Sequence, residues 1–348
     1  MTAKKKVLVT GATGMLGSKL VFDLIQNGFE VRALYRSKKR IDSFVRNVAY
    51  YTANALEISN KVEWFKADVL NYPAIIDAMK GIDVVFHCAA MVSFYKPDNP
   101  LLFETNIQGT ANVVNACIET GVKRLCHVSS VAALGKSSNG EVITEDTPWL
   151  PDKKNSGYSI SKFESEMEVW RGVNEGLEAV VVNPSIILGP GEWDTGSSAF
   201  YSKIYKGLKF YTRGKTGFVD LRDVTSAMLL LCNDENWQKA QGNRYLLNAA
   251  NLTYEKAFQL IARSVKVKPP GIHAGRFLMG FAWRAASVAS LLSRHKPLIT
   301  RQSVQSAASV SCFDGSKISR EFNFTYIPIE QTISEVGAMY LKSIYSDV

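Results

Sequence analysis

Cysteine and histidine are scarce in this chain, and neither is arranged to hold a metal ion. Its 348 residues include five cysteines with no CxxC pair and four histidines with no HxxxH or HExxH motif. Zinc sites and disulfide frameworks depend on such close spacings. We therefore expect no metal site and no disulfide bond, a pattern that favours a reducing, cytoplasmic compartment.

Long apolar runs and blocks of like charge are also missing. Only three apolar residues follow the lysines at 4–6, too few for the apolar stretch of a signal peptide. The net charge is +9, yet no run of five like charges exists. Basic residues are not interleaved with aromatic ones along a single element. The excess therefore indicates a basic surface with a few phosphate contacts, and we expect no nucleic-acid partner.

What remains is an ordinary globular composition with one informative stretch near the start. Hydrophobic residues make up 46% of the chain and charged residues 21%. Residues 7–10 (VLVT) form a short apolar run that is typical of a buried parallel strand, and Gly11, Gly14 and Gly17 follow it. A helical apolar period then begins at Leu16. Strand, glycine turn and helix together predict a dinucleotide site, with the diphosphate at the helix N-terminus.

Strands and helices alternate through the first half of the chain. The strand candidates are 30–35, 62–65, 83–87, 124–128 and 178–183. This alternation predicts an α/β fold, a doubly wound parallel sheet of the Rossmann type, with a smaller and mostly α C-terminal substrate domain. Residues 186–191 read as a turn, and 218–224 as a return to the sheet followed by a helix start. The predicted dinucleotide-binding domain comprises residues 1–187 and 219–251. The predicted substrate-binding domain comprises residues 188–218 and 252–348, so the two domains interleave along the chain.

Basic residues follow the second predicted strand, where a dinucleotide fold contacts the adenosine ribose. An acidic residue there selects the free 2′-hydroxyl of NAD. This chain has Arg36, which can bind a 2′-phosphate and stack on adenine. We therefore expect NADP(H), with NAD(H) as the alternative. Asp68, at the end of the third strand, is interpreted either as an acceptor for the adenine amino group or as a turn residue.

The fourth and fifth predicted strands end in residues suited to a cofactor site and to catalysis. Cys88, Ala89 and Ala90 are small enough to let backbone approach a cofactor, and His87 before them reads as a packed strand-end residue. A serine pair follows the fifth strand and ends at Ser130.

A tyrosine and a lysine stand one helical turn apart, at Tyr158 and Lys162. At this spacing both side chains lie on one helix face. Phenol ionises with a pKa near 10, and a nearby ammonium group favours the phenolate. With Ser130 bonding the substrate oxygen, these groups suit proton exchange at that oxygen while hydride moves at the adjacent carbon.

Residues 275–294 are strongly apolar but carry arginines on one helical stripe. Arginine in mid-segment disfavours a membrane-spanning helix. We interpret the segment as an amphipathic helix that packs on the core or covers the substrate pocket, with weak contact with a membrane surface left open.

Taken together, these motifs resemble those of the extended short-chain dehydrogenase/reductase family, which is NAD-dependent epimerase/dehydratase-like. The matching stretches are TGATGMLG at 10–17, ADV at 67–69, HCAA at 87–90, NIQGT at 106–110, VSS at 128–130, YSISK at 158–162 and NPSIILGPG at 183–191. Within it, the chain is most similar to dihydroflavonol 4-reductases and 3β-hydroxysteroid dehydrogenases, as in VRALYR at 31–36, AAMVSF at 89–94 and FDGSKISREFNF at 313–324.

The resemblance implies roles for particular residues. Tyr158 would be the acid/base, Lys162 would bind the nicotinamide ribose and lower the tyrosine pKa, Ser130 would position the substrate oxygen, and Asn106 would hold the active-site helix and a water. The implied cofactor contacts are Gly11, Thr13, Gly14, Met15, Leu16, Gly17, Arg36, Asp68, Val69, Cys88, Ala89, Ala90, Tyr158, Lys162, Pro184 and Ile187. The expected substrate contacts are Met91, Ser93, Phe94, Ser130 and Phe200.

The leading hypothesis is an NAD(P)-dependent enzyme that interconverts a ketone and a secondary alcohol on a mid-sized apolar small molecule. The alternatives are a sugar-nucleotide epimerase or dehydratase and a catalytically silent cofactor-binding regulator. Epimerases generally carry an acid where this chain has Arg36, and an Arg-Asp-aromatic motif where it has KTGF at 215–218. The resemblance also allows a homodimer through the helices near 106–120 and 158–172.

Overall fold

A computed structural model describes residues 5–136, 140–152, 155–275, 280, 283–284 and 300–345. In chain order the strands are β1 Lys6–Thr10, β2 Glu30–Tyr35, β3 Glu63–Lys66, β4 Val84–His87, β5 Arg124–Val128, β6 Glu178–Pro184, β7 Ile186–Leu188, β8 Phe210–Tyr211, β9 Lys215–Asp220, β10 Arg244–Leu247, β11 Ala250–Thr253 and β12 Ile272–His273.

Helices connect almost all of these strands. They are α1 Met15–Gln26, α2 Lys38–Val48, α3 Ala55–Asn60, α4 Tyr72–Met79, α5 Asn99–Phe103, α6 Gly109–Thr120, α7 Gly157–Asn174, α8 Ala199–Tyr205, α9 Leu221–Cys232, α10 Asp234–Ala240, α11 Tyr254–Ser264, α12 Arg301–Ala308, α13 Ser316–Phe322 and α14 Ile329–Tyr345. Lys96–Asp98 and Val131–Ala133 are 3₁₀ turns, and Glu104–Gln108 is a π-helical turn between α5 and α6.

The larger sheet has seven strands in the order β10-β6-β5-β4-β1-β2-β3, and every neighbouring pair is parallel. Strand β1 lies between β2 and β4, so the chain winds outward from β1 in both directions. The order therefore reverses at the carboxyl ends of β1 and β4, where a doubly wound sheet opens a crevice. The predicted doubly wound α/β fold is confirmed.

Helices cover both faces of this sheet, which explains why its strands read as continuous apolar runs. Successive residues of β1 point to opposite faces: Val7 and Val9 pack in a core with α1, α2 and α9. Leu8 packs in a second core with α4, α6 and α7. The predicted strands at 30–35 and 124–128 have the observed bounds of β2 and β5.

The smaller lobe is built around a second sheet with the strand order β11-β9-β7. Residues 186–188, expected in a turn, form strand β7 instead, because they pair in parallel with β9. Strand β9 likewise belongs to this smaller sheet, and the chain returns to the larger sheet only at β10, beside β6. A separate core from α8, α11 and α14 packs on the smaller sheet. The lobes thus interleave along the chain, while the domain boundaries given above stay a prediction.

Two other expectations concern the segment at 275–294 and the membrane. The predicted amphipathic helix lies almost entirely outside the described residues. Across the described ranges, no helix is both long enough and apolar enough to cross a bilayer.

Buried carboxylates join the lobes at the start of α9. Asp220 accepts hydrogen bonds from the backbone N–H of Arg222 (2.7 Å) and from the Thr332 hydroxyl of α14 (2.8 Å). The Asp223 carboxylate accepts from the backbone N–H of Ile327 at 3.0 Å. Asp223 is 3% exposed, and burial is the main reason that its pKa rises from 3.8 to about 7.

This shift makes stability depend on pH at Asp223. A raised carboxyl pKa means that the folded state holds the proton more tightly than the unfolded state does. Stability should therefore fall as the pH rises from about 4 to about 7, and the loss is complete above 7. In urea titrations at pH 8.5, Asp223→Asn should be more stable than the wild type by about 1–3 kcal/mol, and this advantage should shrink at pH 5.5.

Asp234→Asn is the control with the opposite sign, because Lys5 and Arg124 lower the pKa of Asp234. Its stability at pH 8.5 should not exceed that of the wild type. An equal difference between Asp223→Asn and the wild type at both pH values would contradict the prediction.

Candidate active site

The glycine turn after β1 packs directly against the chain that leaves β4. Gly11 has a φ of +65°, a left-handed conformation that favours glycine. A Cβ atom built at Gly11 would lie 2.7 Å from the backbone nitrogen of Ala89 and 2.8 Å from the carbonyl carbon of Cys88. These two backbone segments form the floor of the crevice at the switch point of the sheet.

The other two glycines differ in the space around them. A Cβ at Gly17 would lie 2.2 Å from the Gly11 carbonyl oxygen, so helix α1 can approach the turn only with glycine there. A Cβ at Gly14 would come no closer than 3.4 Å to any neighbour. Gly14 is exposed and faces open space, which leaves room for a ligand.

The N-terminus of α1 suits an anion. Its N-cap is Gly14, no side chain caps the helix, and its first turn contains no acidic residue. Helix N-termini of this kind bind phosphate through backbone N–H groups and the helix dipole. Met15 and Leu16 are the first two residues of the helix and Thr13 precedes the cap, so these residues fit a dinucleotide diphosphate. Their contact with a cofactor stays a prediction.

At the carboxyl end of β2, Arg36 and Asp68 face each other. The guanidinium nitrogen of Arg36 lies 3.9 Å from the carboxylate of Asp68, and the two side chains are 66% and 40% exposed. Asp68 also accepts a hydrogen bond from the backbone N–H of Leu70 (3.1 Å), as its interpretation as a turn residue predicts. The next residue, Val69, packs under α6, because a Cβ at Gly109 would meet it at 2.7 Å.

A chain of hydrogen bonds crosses the crevice floor through His87. The Thr10 hydroxyl accepts from the Ala89 N–H (3.1 Å) and donates to His87 Nδ1 (2.7 Å), because the neutral ring carries its proton on Nε2. The Thr110 hydroxyl donates to the Asn106 carbonyl (2.6 Å), so it accepts from His87 Nε2–H (3.0 Å). Burial lowers the pKa of His87 to about 3, so the ring is neutral and its tautomer is fixed.

Asn106 lies in the π-helical turn and holds two parts of the site. Its side chain accepts from the Met91 N–H (2.7 Å) and donates to the Met91 carbonyl (3.0 Å). It also donates to the hydroxyl of Ser161 on α7 at 2.9 Å. Asn106 therefore joins the loop after β4 to the helix that carries the tyrosine and the lysine.

Tyr158 and Lys162 lie one turn apart on α7, and Ser130 lies beside the tyrosine. The Tyr158 hydroxyl is hydrogen-bonded to Ser130, which follows β5. Lys162, one turn further along α7, is 2% exposed and donates to the carbonyl of Val128 at 2.9 Å. The Phe94 ring lies edge-on to the Tyr158 ring, with centroids 5.7 Å apart.

The charge states of this group differ from the expectation in one respect. Burial raises the pKa of Tyr158, and the hydrogen bond from Ser130 only partly opposes this. Burial also lowers the pKa of Lys162 to about 8. The protein alone therefore does not lower the tyrosine pKa, contrary to the implied role of Lys162, because loss of water around the phenol outweighs the stabilising interactions.

The other residues predicted to contact substrate or cofactor lie in several different elements. The Ser93 hydroxyl donates to Asp98 (2.7 Å) inside a local turn, and the Phe200 ring packs on Phe258 in the smaller lobe, with centroids 5.6 Å apart. Pro184 ends β6, and Ile187 lies in β7. Their contacts with a ligand stay predictions.

A buried acid beneath the site, Glu166, was not predicted. It lies on α7, four residues after Lys162, and its side chain is fully buried. The spacing in the sequence could have indicated it, because residues four apart on a helix share one face and Glu166 is four residues after Lys162. The structure also brings Arg244 of β10 to within 3.1 Å of its carboxylate.

The loop at 189–198, between β7 and α8, reaches the dinucleotide lobe. Its Glu192 accepts from the Ser43 hydroxyl of α2 at 3.1 Å. The Trp193 indole N–H donates to the Tyr50 hydroxyl at 2.7 Å, and its ring packs on Tyr340 of α14. Within the described residues, no cluster of three or more His, Cys, Asp or Glu side chains is arranged to hold a metal ion.

Comparisons with known proteins agree with this geometry. A model of the NAD dependent epimerase/dehydratase family matches residues 7–246. A protein of Synechocystis sp., provisionally named a dihydroflavonol 4-reductase, is 28% identical over 332 residues, covering 94% of this chain and 92% of the relative. The 3β-hydroxysteroid-dehydrogenase/decarboxylase isoform 1 of Arabidopsis thaliana is 28% identical over 290 residues, 79% of this chain and 66% of that one.

A solved structure shares the fold. The dTDP-glucose 4,6-dehydratase DesIV from Streptomyces venezuelae, with NAD bound, has a TM-score of 0.74 at 19% identity and covers 97% of each chain. At this identity the similarity shows the fold alone.

The space around the glycines predicts that two substitutions have different effects. Gly17→Ala forces a side chain against the Gly11 carbonyl, so the melting temperature should fall by several degrees. Gly14→Ala makes only an ordinary van der Waals contact, 3.4 Å from the Gly11 carbonyl oxygen, and should melt close to the wild type. It should nevertheless weaken binding of the dinucleotide at least tenfold, because the methyl group occupies the space where the diphosphate approaches. Thermal melts and fluorescence titration with NADPH and NADH check both. Normal cofactor affinity in Gly14→Ala would contradict the placement of the diphosphate.

Proposed function

The chain belongs to the NAD-dependent epimerase/dehydratase family, and on this premise we propose that it interconverts a ketone and a secondary alcohol on a mid-sized apolar substrate, using NADP(H). It is an enzyme of the extended short-chain dehydrogenase/reductase family, as the match over residues 7–246 indicates. The observation that carries the proposal is the hydrogen-bonded Tyr158 and Ser130, with Lys162 buried one helical turn away.

Ser130, Tyr158 and Lys162 would have different roles at one substrate oxygen. A bound nicotinamide cofactor would supply or take up the hydride at the neighbouring carbon. Ser130 would donate a hydrogen bond to the substrate oxygen and so fix its position. In reduction Tyr158 gives its proton to that oxygen, and in oxidation it takes the proton back.

The raised pKa of Tyr158 suits the reducing direction. A phenol that stays protonated at neutral pH is ready to donate its proton to a developing alkoxide. Lys162, with its pKa near 8, carries much of its positive charge at that pH and stabilises the phenolate left behind.

Three features of the site favour NADP(H). The residue after β2 is the cation Arg36 rather than an acid, and Lys38 and Lys39 beside it are exposed. Arg36 is only loosely paired, since its guanidinium lies 3.9 Å from Asp68. Arg36 can therefore bind a 2′-phosphate without first breaking a close ion pair with Asp68.

An apolar substrate is supported by the aromatic wall beside the tyrosine. Phe94 packs edge-on to Tyr158 at the reacting end of the site. The names of the relatives, a dihydroflavonol reductase and a steroid dehydrogenase/decarboxylase, also point to ring compounds of moderate size.

The homodimer stays a prediction. The outward faces of α6 and α7 are mixed, with the charged residues Glu119, Glu164, Glu168 and Arg171 beside the exposed apolar side chains of Ile118 and Met167. Among these, Arg171 is already paired with Glu168 (2.9 Å) and Glu175 (2.8 Å) on its own helix.

Arg36→Ala tests the choice of cofactor. Loss of a charge-assisted contact should weaken NADPH binding about 10- to 100-fold, because such bonds contribute about 1.5–3 kcal/mol, and should change NADH binding less than threefold. Lys80→Ala is the matched control, since Lys80 pairs with Asp77 (2.6 Å) before the amino end of β4, at the opposite edge of the sheet. Equal or tighter binding of NADH than of NADPH by the wild type would refute the NADP(H) proposal.

A substrate panel with Tyr158→Phe tests the reaction. The wild type should reduce dihydroflavonols or 3-ketosteroids in the presence of NADPH, and Tyr158→Phe should lower turnover about 10²- to 10⁴-fold while binding NADPH normally. Tyr72→Phe removes a hydroxyl that bonds Glu119 at the surface (2.6 Å) and should keep full activity. Turnover confined to sugar nucleotides would overturn the proposed function in favour of an epimerase or dehydratase.

A further inference from the structure

The buried carboxylate of Glu166 accepts hydrogen bonds from four donors that belong to four parts of the dinucleotide lobe. They are the Ser129 hydroxyl (2.6 Å), the Asn183 amide (2.8 Å), an Arg244 guanidinium nitrogen (3.1 Å) and the Trp170 indole N–H (3.2 Å). Two carboxylate oxygens offer about four lone-pair positions, so this acid is fully satisfied. A buried charge held so completely has one defined position.

Hydrogen bonds through Ser129 and Asn183 connect this carboxylate to the catalytic serine, Ser130. Ser129, which it binds directly, is the neighbour of Ser130. The Asn183 amide donates both to Glu166 and to the Ser130 carbonyl, at 2.8 Å and 3.2 Å. Glu166 therefore holds the Ser129–Ser130 backbone through two separate contacts.

Glu166 also lies four residues after Lys162, on the same face of α7. The titratable groups that interact with that ammonium besides Glu166 are His87, Cys88 and His127. Burial lowers the pKa of both histidines and raises the pKa of Cys88 to about 12, so all of them are neutral near pH 7. Glu166 is then the negative charge that opposes the effect of burial on Lys162.

We propose that Glu166 is a positioning residue for the reaction, whose carboxylate keeps Lys162 charged and holds the Ser129–Ser130 turn in place. This inference deepens the proposed function and rests on it. Because Lys162 lies one helical turn from Tyr158 on α7, the carboxylate acts on the proton transfer through the lysine and without touching substrate.

Removal of the Glu166 carboxylate should favour the neutral form of Lys162. Burial already brings the pKa of Lys162 down to about 8, and attraction to Glu166 is the first of the effects that raise it. Without that attraction the pKa should fall further, so that the amine is mainly neutral at pH 7.5. Near pH 6 the two proteins should differ much less.

The direct test is a titration of Lys162 in the full-length protein without cofactor. Carbon-13 NMR of ε-labelled lysine, with Lys162→Met to assign the signal, gives the midpoint. We expect a midpoint near 8 in the wild type and one lower by at least one pH unit in Glu166→Gln. Glu168→Gln is the matched control: the same change on the same helix, at a glutamate that pairs with Arg171 at the surface (2.9 Å), should leave the midpoint unchanged.

A second variant keeps the test decisive if Glu166→Gln does not fold. Arg244→Met removes a cation whose side chain is 25% exposed and leaves the carboxylate in place. Its Lys162 midpoint should therefore rise above that of the wild type. An unchanged or raised midpoint in Glu166→Gln would overturn the inference, and so would an unchanged or lowered midpoint in Arg244→Met.

Binding of NADPH across the pH range supplies a second measurement. In Glu166→Gln the affinity should be within twofold of wild type at pH 6 and several-fold weaker at pH 8. An equal loss at every pH would show a merely structural role and would overturn the inference. A wild-type chain that binds neither NADPH nor NADH would refute the proposed function, and the lysine titration distinguishes that failure from a failure of this inference.

Discussion

Close contact between two stretches of bare backbone sets the geometry of the whole site. The turn after β1 can lie against the chain leaving β4 only because Gly11 has no side chain, since a Cβ there would come within 2.7 Å of Ala89. Helix α1 then approaches the same turn through Gly17, where a Cβ would be 2.2 Å from the Gly11 carbonyl. Both contacts bring the helix N-terminus to the crevice between β1 and β4, where a parallel sheet of this order opens.

Below that crevice, polar groups are buried and largely paired with one another. The Thr10–His87–Thr110 chain fixes a neutral histidine between the glycine turn and Asn106. The hydrogen bonds between Glu166 and its four donors likewise fix the Ser129–Ser130 turn. In a low-dielectric interior such networks are stable only when their members are satisfied, and they then allow few alternative arrangements. Lys162 is buried beside them, and this burial lowers its pKa to about 8 while attraction to Glu166 partly opposes the shift.

The smaller lobe contacts the dinucleotide lobe at several points. Loop 189–198 hydrogen-bonds α2 through Glu192, and Trp193 contacts both Tyr50 and Tyr340. Thr332 of α14 bonds Asp220 at the start of α9. The site therefore lies between lobes that are joined at several points around it.

The sequence by itself determined the doubly wound sheet, the glycine turn and the placement of Tyr158 and Lys162 one turn apart on a helix, because these depend on periodicity and spacing over a few residues. It did not predict strand β7, whose three residues are defined by their pairing with β9. Nor did it predict the raised pKa of Tyr158, which follows from burial. Glu166 and Arg244 are 78 residues apart in the chain, and only tertiary packing of α7 against β10 brings them together. Local patterns are encoded in neighbouring residues, whereas burial and long-range ion pairs arise when distant elements pack.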